Sequence, residues 1–292
     1  MTKQIDFKEL GKAGTHFGHR SARWNPKMAP FIWGTKNKVH LIDISKTASH
    51  LEQAAKFLES VAADNKTILW VGTKKPAQKA VTEVAMKLGM PYVNHRWIGG
   101  TLSNFAQVKK AVTKLLHLED ILAKSEKFPH YTKKELNEFK KDTERLEKSV
   151  GGIRTLKWPV GALVLVDVGR ENSALLEAVN MHVPVVAIVD TNCDPSLVDY
   201  VIPANDDAVS SISLIMNHLG NAVEAGKKIA LEKEKEAASE KTKKGEAKKA
   251  PSSVEASTKN KAKSTKKAVV EEEDEDNSVD NIIIDDIEDI EE

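Results

Sequence analysis

The chain has 292 residues, of which 40% are hydrophobic, so it is long enough to bury the core of one large α/β domain or of two smaller ones. Its only cysteine, Cys193, excludes an internal disulfide and a cysteine cluster for zinc. The polar start and the longest apolar run, residues 160–166, lead us to expect neither a signal peptide nor a membrane-spanning segment.

The modest net charge of +1 hides a strong asymmetry along the chain. Residues 227–268 hold 14 lysines and 6 glutamates, whereas residues 269–292 hold 13 acidic residues and no basic ones. Residues 1–226 therefore keep 30 basic against 24 acidic residues. A basic body of this kind weakly favours a polyanionic partner.

Short apolar runs bounded by turn residues predict buried strands. These runs are Val39–Ile42, Thr67–Val71, Pro91–Val93, Ala162–Val166 and Val185–Val189. Helical spacing of apolar residues follows Ser45 and Pro76, in the intervals between the predicted strands. This alternation predicts an α/β fold with a mainly parallel, doubly wound sheet of the Rossmann or flavodoxin type, formed by residues 1–102 and 151–236.

Residues 103–150 interrupt the alternation, because they contain two long charged helical patterns and no strand signal. Thr132 and Glu135 form a capping box at the start of the second pattern, and Gly151 and Gly152 end it. We expect a protruding helical hairpin that zips together as a two-stranded coiled coil. The apolar residues that would form the seam are Leu115, Leu118, Ile121, Leu122, Leu136, Phe139 and Leu146.

A last helix is predicted from about Asp206 to about Glu236, with Asn205 as its N-cap. Residues 237–292 are then first rich in lysine and afterwards acidic, with few apolar side chains. Because such a segment buries too little surface to offset its conformational entropy, we expect a disordered tail. Ile282–Ile284 form an apolar exception, which is either solvated or docked on a partner or on the chain's own lysines.

Two segments mix cations, amides and aromatic rings in glycine-broken loops. Residues 94–105 read Asn-His-Arg-Trp-Ile-Gly-Gly-Thr-Leu-Ser-Asn-Phe, and residues 16–28 interleave rings and cations in the same way. Guanidinium and imidazole groups meet phosphates or stack on bases, tryptophan offers a flat surface, and glycine permits close approach. This chemistry favours RNA over a small substrate.

An enzyme is the main alternative, because doubly wound sheets often bind nucleotides at the carboxyl ends of their strands. The turn 72–75, Gly-Thr-Lys-Lys, follows a strand and offers amides and lysines to an anion, but it lacks the spacing of a Walker loop. Asp167, Asp190 and Asp194 end or follow strands and are either magnesium ligands or turn formers. A free signalling domain with a regulatory hairpin is a further alternative.

Other residues give weaker signals for chemistry. His16 and His19 have no evident third metal ligand, and Cys193 has no evident partner base, so we predict no metal site and no nucleophile. Three tryptophans adjoin apolar sequence and are expected in the core or in domain contacts. They are Trp33, Trp70 and Trp158.

Seven motifs in collinear order closely resemble the bacterial small-subunit ribosomal protein S2 family over about residues 5–230. They are Gly14–His19, Trp24–Met28 with Pro30–Ile32, Asn37–Ile42, Val71–Lys75, Asn94–Gly100, Ala187–Asn192 and Ile202–Ala208. Ala204 replaces the glycine that is usual in the last motif. The tail beyond about residue 236 has no counterpart in the family.

The resemblance implies a three-layer α/β/α domain with a coiled-coil hairpin, located in the cytoplasm on the small ribosomal subunit between head and body. Its implied partners are small-subunit ribosomal RNA, neighbouring small-subunit proteins and the messenger-binding ribosomal protein S1, with no catalysis, no cofactor, no membrane and no homo-oligomer. Residues of the two mixed segments, of turn 72–75 and of the adjacent positions are the expected RNA contacts. They are His16, Arg20, Arg23, Trp24, Asn25, Lys27, Lys36, Lys74, Lys75, Asn94, His95, Arg96, Trp97 and Asn104.

Overall fold

The computed structural model describes residues 5–124 and 131–246. The helices are α1 (Phe7–Ala13), α2 (Ile44–Ala63), α3 (Lys75–Leu88), α4 (Phe105–Ala123), α5 (Lys133–Val150), α6 (Asn172–Asn180) and α7 (Val209–Glu246). The strands are β1 (Phe17–Arg20), β2 (Ile32–Lys36), β3 (Val39–Ile42), β4 (Thr67–Val71), β5 (Tyr92–Val93), β6 (Val160–Val166), β7 (Val185–Val189) and β8 (Tyr200–Pro203).

Five strands form the central sheet in the order β5-β4-β6-β7-β8, and every neighbouring pair is parallel. Side chains of one strand alternate between two cores, so that Ile68 and Trp70 pack with α2, α3 and α7 while Leu69 and Val71 pack with α4 and α6. The predicted α/β fold with a mainly parallel sheet is therefore confirmed. Strand β8, which contains the polar Tyr200 at its start, was not predicted.

Residues 39–42 were wrongly assigned to the parallel sheet. They form the central strand of a separate antiparallel sheet with the order β1-β3-β2. Asn37 and Lys38, which connect β2 to β3, have φ values of +50° and +64°. Two successive left-handed residues are the geometry of a tight two-residue hairpin, which explains why β3 turns back on β2 instead of joining a parallel sheet.

Helices α4 and α5 pack against each other as the predicted hairpin. The capping box of Thr132 and Glu135 is confirmed, and so are the buried seam positions Leu115, Leu118 and Ile121. At the base, the Arg154 guanidinium donates to Glu119 on α4, with nitrogen to oxygen distances of 2.9 and 2.6 Å, and also to Glu147 on α5. The hairpin is thus tied at the end where it leaves the sheet.

Helix α7 continues to Glu246, beyond its predicted end at about Glu236. The added residues are rich in alanine, glutamate and lysine, which are good helix formers. The predicted disorder of residues 247–292 lies outside the described residues.

The three tryptophans expected in the core or in domain contacts have different environments. Trp70 is fully buried, as predicted, whereas Trp33 is 76% exposed and the prediction for it is wrong. Trp158 is partly exposed and stacks on Phe105 at the base of the hairpin, with ring centroids 6.3 Å apart.

Candidate nucleic-acid interface

Both mixed segments lie at the carboxyl edge of the parallel sheet. Residues 94–104 follow β5 directly, and the segment that contains β1 is bonded to Thr191, the second residue after the end of β7. There the Asn25 amide donates to the Thr191 carbonyl at 2.7 Å, and the His19 amide donates to Thr191 Oγ1 at 2.8 Å. Because the carboxyl ends of parallel strands share one edge, the fold places the two segments at the same end of the domain.

The carboxylate of Glu177 on α6 holds the loop 97–103 in place. Its Oε1 accepts the indole Nε1–H of Trp97 at 3.1 Å and the Gly100 amide at 2.8 Å. Its Oε2 accepts the amides of Leu102 at 3.1 Å and Ser103 at 3.5 Å. Gly100 has a φ of +92°, a conformation that favours glycine. The sequence offered no signal for Glu177, since its partners are about 75 to 80 residues away.

Some of the RNA contacts predicted in the loop are buried in this arrangement, and others are exposed. Trp97 is only 8% exposed and packs in the core, so little of its ring is available to stack on RNA, and its role as an RNA contact stays a prediction. His95 and Arg96 are exposed, and so is Asn104, whose side chain makes no capping bond to α4. Asn94 is half-buried and donates to Thr82 Oγ1 at 3.0 Å. The loop therefore presents the guanidinium of Arg96 and the imidazole ring of His95 to a partner.

The segment 16–28 presents two arginines and two exposed aromatic rings, those of Phe17 and Trp24. Arg20 and Arg23 are exposed, and in the described part of the chain neither forms an ion pair. The ring of Trp24 is exposed on one side and lies 5.1 Å from the ring of His40. Lys36, on the neighbouring strand β2, is also exposed.

Three other predicted residues of this region already have partners. The Lys27 ammonium is 2.7 Å from Asp194 Oδ2, and this contact lowers the pKa of the Asp194 carboxyl to about 2. Asn25 caps a short 3-10 helix, because its Oδ1 accepts the Lys27 amide at 3.0 Å. The His16 ring lies 4.1 Å from the Phe17 ring. Lys27 is exposed and therefore accessible to a phosphate. Because its ammonium is already paired with Asp194, the phosphate would have to compete with that carboxylate.

Lys74 does not face a partner. Its side chain is 16% exposed, and its ammonium lies 2.8 Å from Asp206, 2.7 Å from Asp207 and 3.3 Å from Asp167. Burial disfavours the charged form, but the hydrogen bonds to Asp206 and Asp207 raise the pKa of Lys74 overall. An RNA phosphate would have to compete with three carboxylates for Lys74, and the contact of Lys74 with RNA stays a prediction. Lys75, the first residue of α3, is exposed.

The carboxylates around Lys74 form an acidic cluster at the ends of β6 and β8, in which Asp167 and Asp206 are buried and Asp207 is exposed. Asp206 is fully buried, and among the described residues its Oδ2 has no hydrogen-bond partner. Burial and the neighbouring carboxylate of Asp167 raise the pKa of Asp206 to about 7. His19 Nδ1 lies 2.8 Å from Asp190, and this hydrogen bond raises the pKa of His19. The cluster joins β1 and α3 to the start of α7.

Two overlapping groups in this cluster have the spacing of metal ligands, with ligand atoms within 4.8 Å of one another. One contains His19, Asp190, Asp206 and Asp207, and the other contains Asp167, Cys193 and Asp206. The pair of His16 and His19 considered from the sequence does not form such a group in the described chain, because His19 turns towards carboxylates that are distant in sequence. Oxygen and imidazole ligands of this kind suit divalent cations, and Lys74 supplies positive charge from within the same cluster.

The crevice where doubly wound sheets bind nucleotides lies between β4 and β6 in this strand order. It contains the buried Glu171, whose Oε1 accepts the Thr73 amide at 2.9 Å and also the Thr73 hydroxyl. Arg170 Nε donates to Thr73 Oγ1 at 3.1 Å. The turn 72–75 therefore binds an anion that belongs to the chain itself, and a phosphate would have to displace it.

The remaining candidates are turn formers or inert groups. The Asp167 carboxylate accepts the Arg170 amide at 3.2 Å, and Asp194 accepts the Ser196 amide at 2.9 Å, as expected of turn residues. Asn205 Oδ1 accepts the amides of Asp207 and Ala208 in the turn that leads into α7. Because α7 begins at Val209, Asn205 is a turn former and its prediction as the N-cap is wrong. Burial raises the pKa of the Cys193 thiol to about 12, which keeps it protonated and unreactive.

The sheet edge carries exposed cations, and Glu171 occupies the crevice where a nucleotide would bind. Both observations agree with the family that the sequence matches. The family model described as Ribosomal protein S2 matches residues 10–226. The chain belongs to the ribosomal protein S2 family. A relative described as small ribosomal subunit protein uS2, from Corynebacterium jeikeium (strain K411), is 43% identical over 247 residues, which cover 85% of this chain and 88% of that protein.

Membership of the S2 family makes this chain a ribosomal protein of the small subunit, a class whose role is structural. The matched residues include the central sheet, the hairpin and the first part of α7. Within residues 5–124 and 131–246, no helix is long and apolar enough to cross a membrane.

Proposed function

We propose that this chain is a non-enzymatic component of the cytoplasmic small ribosomal subunit that binds small-subunit ribosomal RNA between head and body. The observation that carries the RNA contact is the set of exposed cations at the carboxyl edge of the sheet. Arg20, Arg23, Lys36 and Arg96 are exposed, and in the described part of the chain no carboxylate pairs with them. Family membership supports the subunit as the site of action.

In this proposal the exposed cations neutralise phosphates, while Trp24 and His95 pack on sugars or bases. Phosphate contacts fix position and carry no sequence information. Specificity then comes from the folded shape of the RNA, because several patches must meet their targets together. The rigid loop around Glu177 supports this, since it fixes the backbone that carries Arg96.

The hairpin extends the chain's reach beyond the sheet. We propose that its lysine-rich outer surface contacts a second RNA region or a neighbouring protein, and that the chain helps to hold ribosomal protein S1 and is not a homo-oligomer. Deletion of residues 106–148 is expected to weaken incorporation into the subunit or retention of S1. Normal assembly with normal S1 content after this deletion would remove the hairpin from the mechanism.

A nucleotide-binding or signalling role is the alternative that the fold leaves open. The occupied crevice argues against nucleotide binding, because the Glu171 carboxyl group already accepts the amide of Thr73 in the turn 72–75. Saturable binding of a mononucleotide by the purified protein would favour that alternative.

Sedimentation of a cell lysate on a gradient tests the proposal directly. We expect this chain to move with small subunits and whole ribosomes at low and moderate salt. The combined variant Arg20→Ala, Arg23→Ala and Arg96→Ala is expected to shift towards free protein at lower salt, with Lys79→Ala, a lysine on the outer surface of α3, as the control. A free peak for the unmodified chain would overturn the proposal.

A further inference from the structure

A cavity of about 250 Å³ lies beside the loop that presents Arg96. Its walls come from three elements, which are the first turn of α3, the residues that follow the edge strand β5, and the end of the helical hairpin. The cavity is lined by Gln78 of α3, by Asn94 and His95 after β5, and by Glu147, Lys148 and Gly152 at the end of the hairpin. Two of the expected RNA contacts therefore form one side of a concave site.

Contacts between the three elements hold the walls of this cavity in place. Gly152 packs so closely on β5 that a Cβ atom there would collide with the carbonyl oxygen of Tyr92. The Asn94 side chain is bonded to Thr82 on α3 at 3.0 Å. A cavity that is already formed costs little conformational entropy when a ligand enters it.

The orientation of the Asn94 amide group is determined by its partner. The Thr82 hydroxyl donates its only hydrogen to the Gln78 carbonyl at 2.8 Å. Towards Asn94 the Thr82 oxygen can therefore only accept, so the Nδ2 group of Asn94 must face it. Asn94 Oδ1 is on the other side of the amide, and among the described residues it accepts no hydrogen bond.

The amide group of the Gln78 side chain is oriented in the same way. Its Nε2 donates to the Thr73 carbonyl at 3.1 Å, and a carbonyl oxygen can only accept. Within the described chain Gln78 Oε1 accepts no hydrogen bond. The half-buried lining of the cavity therefore contains two amide oxygens of fixed orientation, each of which is able to accept from an N–H group.

The rim of the cavity is cationic, in contrast to these acceptors. Lys148 on α5 is exposed, and so is Lys75, which lies on α3 three residues before Gln78 and hence on the same side of that helix. In the described part of the chain neither lysine forms an ion pair. The carboxylate of Glu147 is already bound to Arg154. A matching ligand combines negative charge at the rim with neutral N–H donors inside.

An unpaired nucleotide has both properties. Its phosphate is anionic, and adenine, cytosine and guanine carry an amino group that donates without a charge. Proteins recognise such splayed bases by hydrogen bonds to their edges and by stacking. The side chain of an arginine from a protein partner would also donate to the two oxygens, but the exposed Lys75, Arg96 and Lys148 would repel its charge.

We propose that this cavity holds one unpaired base that carries an amino group. The N–H groups of the base donate to Gln78 Oε1 and Asn94 Oδ1, the His95 ring stacks on it, and Lys148 contacts its phosphate. The proposal rests on the proposed function, since the RNA is that of the small subunit, and it adds the kind of nucleotide that is recognised. Neither Gln78 nor Lys148 was among the RNA contacts expected from the sequence.

The proposal is tested by the binding of the full-length protein to two labelled single-stranded RNAs. One is a uridine dodecamer, and the other is the same dodecamer with one central adenosine. We expect the second to bind about tenfold more tightly, because uracil has no amino group for the two oxygens. Gln78→Met and Asn94→Ala are each expected to remove most of this preference. Gln53→Ala, at an exposed glutamine on α2, is the matched control and is expected to keep it.

The salt dependence separates the recognition of the base from that of the phosphate. Lys148→Ala is expected to weaken the binding of both RNAs equally and to reduce the slope of affinity against salt by about 0.7, the contribution of one single-strand phosphate. Gln78→Met is expected to leave that slope unchanged, because it removes no charge.

The outcomes distinguish this proposal from the proposed function. Equal affinity of the unmodified chain for the two RNAs, or no detectable binding of either, would overturn the base site even if the chain sediments with small subunits. A preference that survives both Gln78→Met and Asn94→Ala would also overturn it. Tighter binding of an arginine-containing peptide than of either RNA, lost in Gln78→Met, would assign the cavity to a protein partner instead. Failure of the unmodified chain to join subunits would overturn the proposed function.

Discussion

Trp97 and Glu177 are joined by a hydrogen bond of 3.1 Å from the indole nitrogen to the carboxylate, across 80 positions of sequence. The same carboxylate accepts the amides of Gly100, Leu102 and Ser103. One side chain of α6 therefore closes the loop that presents Arg96. It does so by providing the acceptors that a buried indole and a turned backbone need.

Replacement of Glu177 is expected to loosen this loop while the sheet remains folded. Glu177→Ala leaves several donors without an acceptor, and we expect it to cost about 2 kcal/mol in the free energy of unfolding. Hydrogen exchange at the amides of Gly100 and Leu102 is expected to accelerate roughly tenfold or more. Glu83→Ala, on the exposed surface of α3, is the control, and equal protection in both variants would contradict the role assigned to Glu177.

Lys74 and Lys75 are adjacent and are expected to behave in opposite ways. Lys74→Met leaves three carboxylates without their cation and is expected to destabilise the fold by about 3 kcal/mol, as for other broken buried pairs. Lys75→Met removes an exposed charge and is expected to change stability by less than about 0.5 kcal/mol.

Two measurements on both variants check these predictions. They are the midpoint of urea unfolding and the slope of RNA affinity against salt concentration. Lys74→Met is expected to lower the unfolding midpoint and to leave the salt slope unchanged. Lys75→Met is expected to keep the midpoint and to reduce the slope by about one phosphate contact. The reverse pattern would mean that Lys74 faces the RNA.

The different environments of Lys74 and Lys75 show which features could not be predicted from the sequence. Continuous apolar runs predicted β4, β6 and β7 correctly, because strands buried on both faces need apolar residues at every position. The helical hairpin was equally predictable from its capping box and seam. Nothing local separates Lys74 from Lys75, however, since only the arrival of Asp206 and Asp207 at the sheet edge buries one of them.

The tryptophans reveal the same limit in the candidate site. Trp97 has cationic neighbours in sequence and yet is buried, because Glu177 supplies the acceptor that its indole needs. Trp33 has apolar neighbours and yet is exposed, because an irregular register places it outside the alternation of β2. Both environments depend on contacts that form only in the tertiary structure.

Gly18 and Gly34, both in the antiparallel β1-β3-β2 sheet, allow a test of how this sheet packs on the rest of the domain. Gly18→Ala would place a methyl group 2.6 Å from the Thr191 side chain, which also accepts the His19 amide. We expect a loss of about 1–3 kcal/mol in the free energy of unfolding, as for other overpacked contacts. Gly34→Ala, where a Cβ meets nothing within 4 Å, is the matched control and is expected to be nearly neutral in urea unfolding. Equal stability of the two variants would show that Gly18 is not a close contact.

Arg154 ties the hairpin to the sheet, since its guanidinium binds Glu119 on α4 and Glu147 on α5. Because these groups are partly exposed, we expect Arg154→Met to cost only about 1 kcal/mol, confined to the hairpin. Hydrogen exchange is expected to accelerate in α4 and α5 and to stay unchanged in β6 and β7.

Arg145→Met is the control for this variant, because Arg145 lies on the exposed surface of α5 and, among the described residues, forms an ion pair only with Asp142 on the same helix. If the hairpin must be held rigidly to reach its partner, Arg154→Met should lower incorporation into small subunits and Arg145→Met should not. Normal incorporation with a loosened hairpin would mean that its partner binds it without needing a fixed orientation.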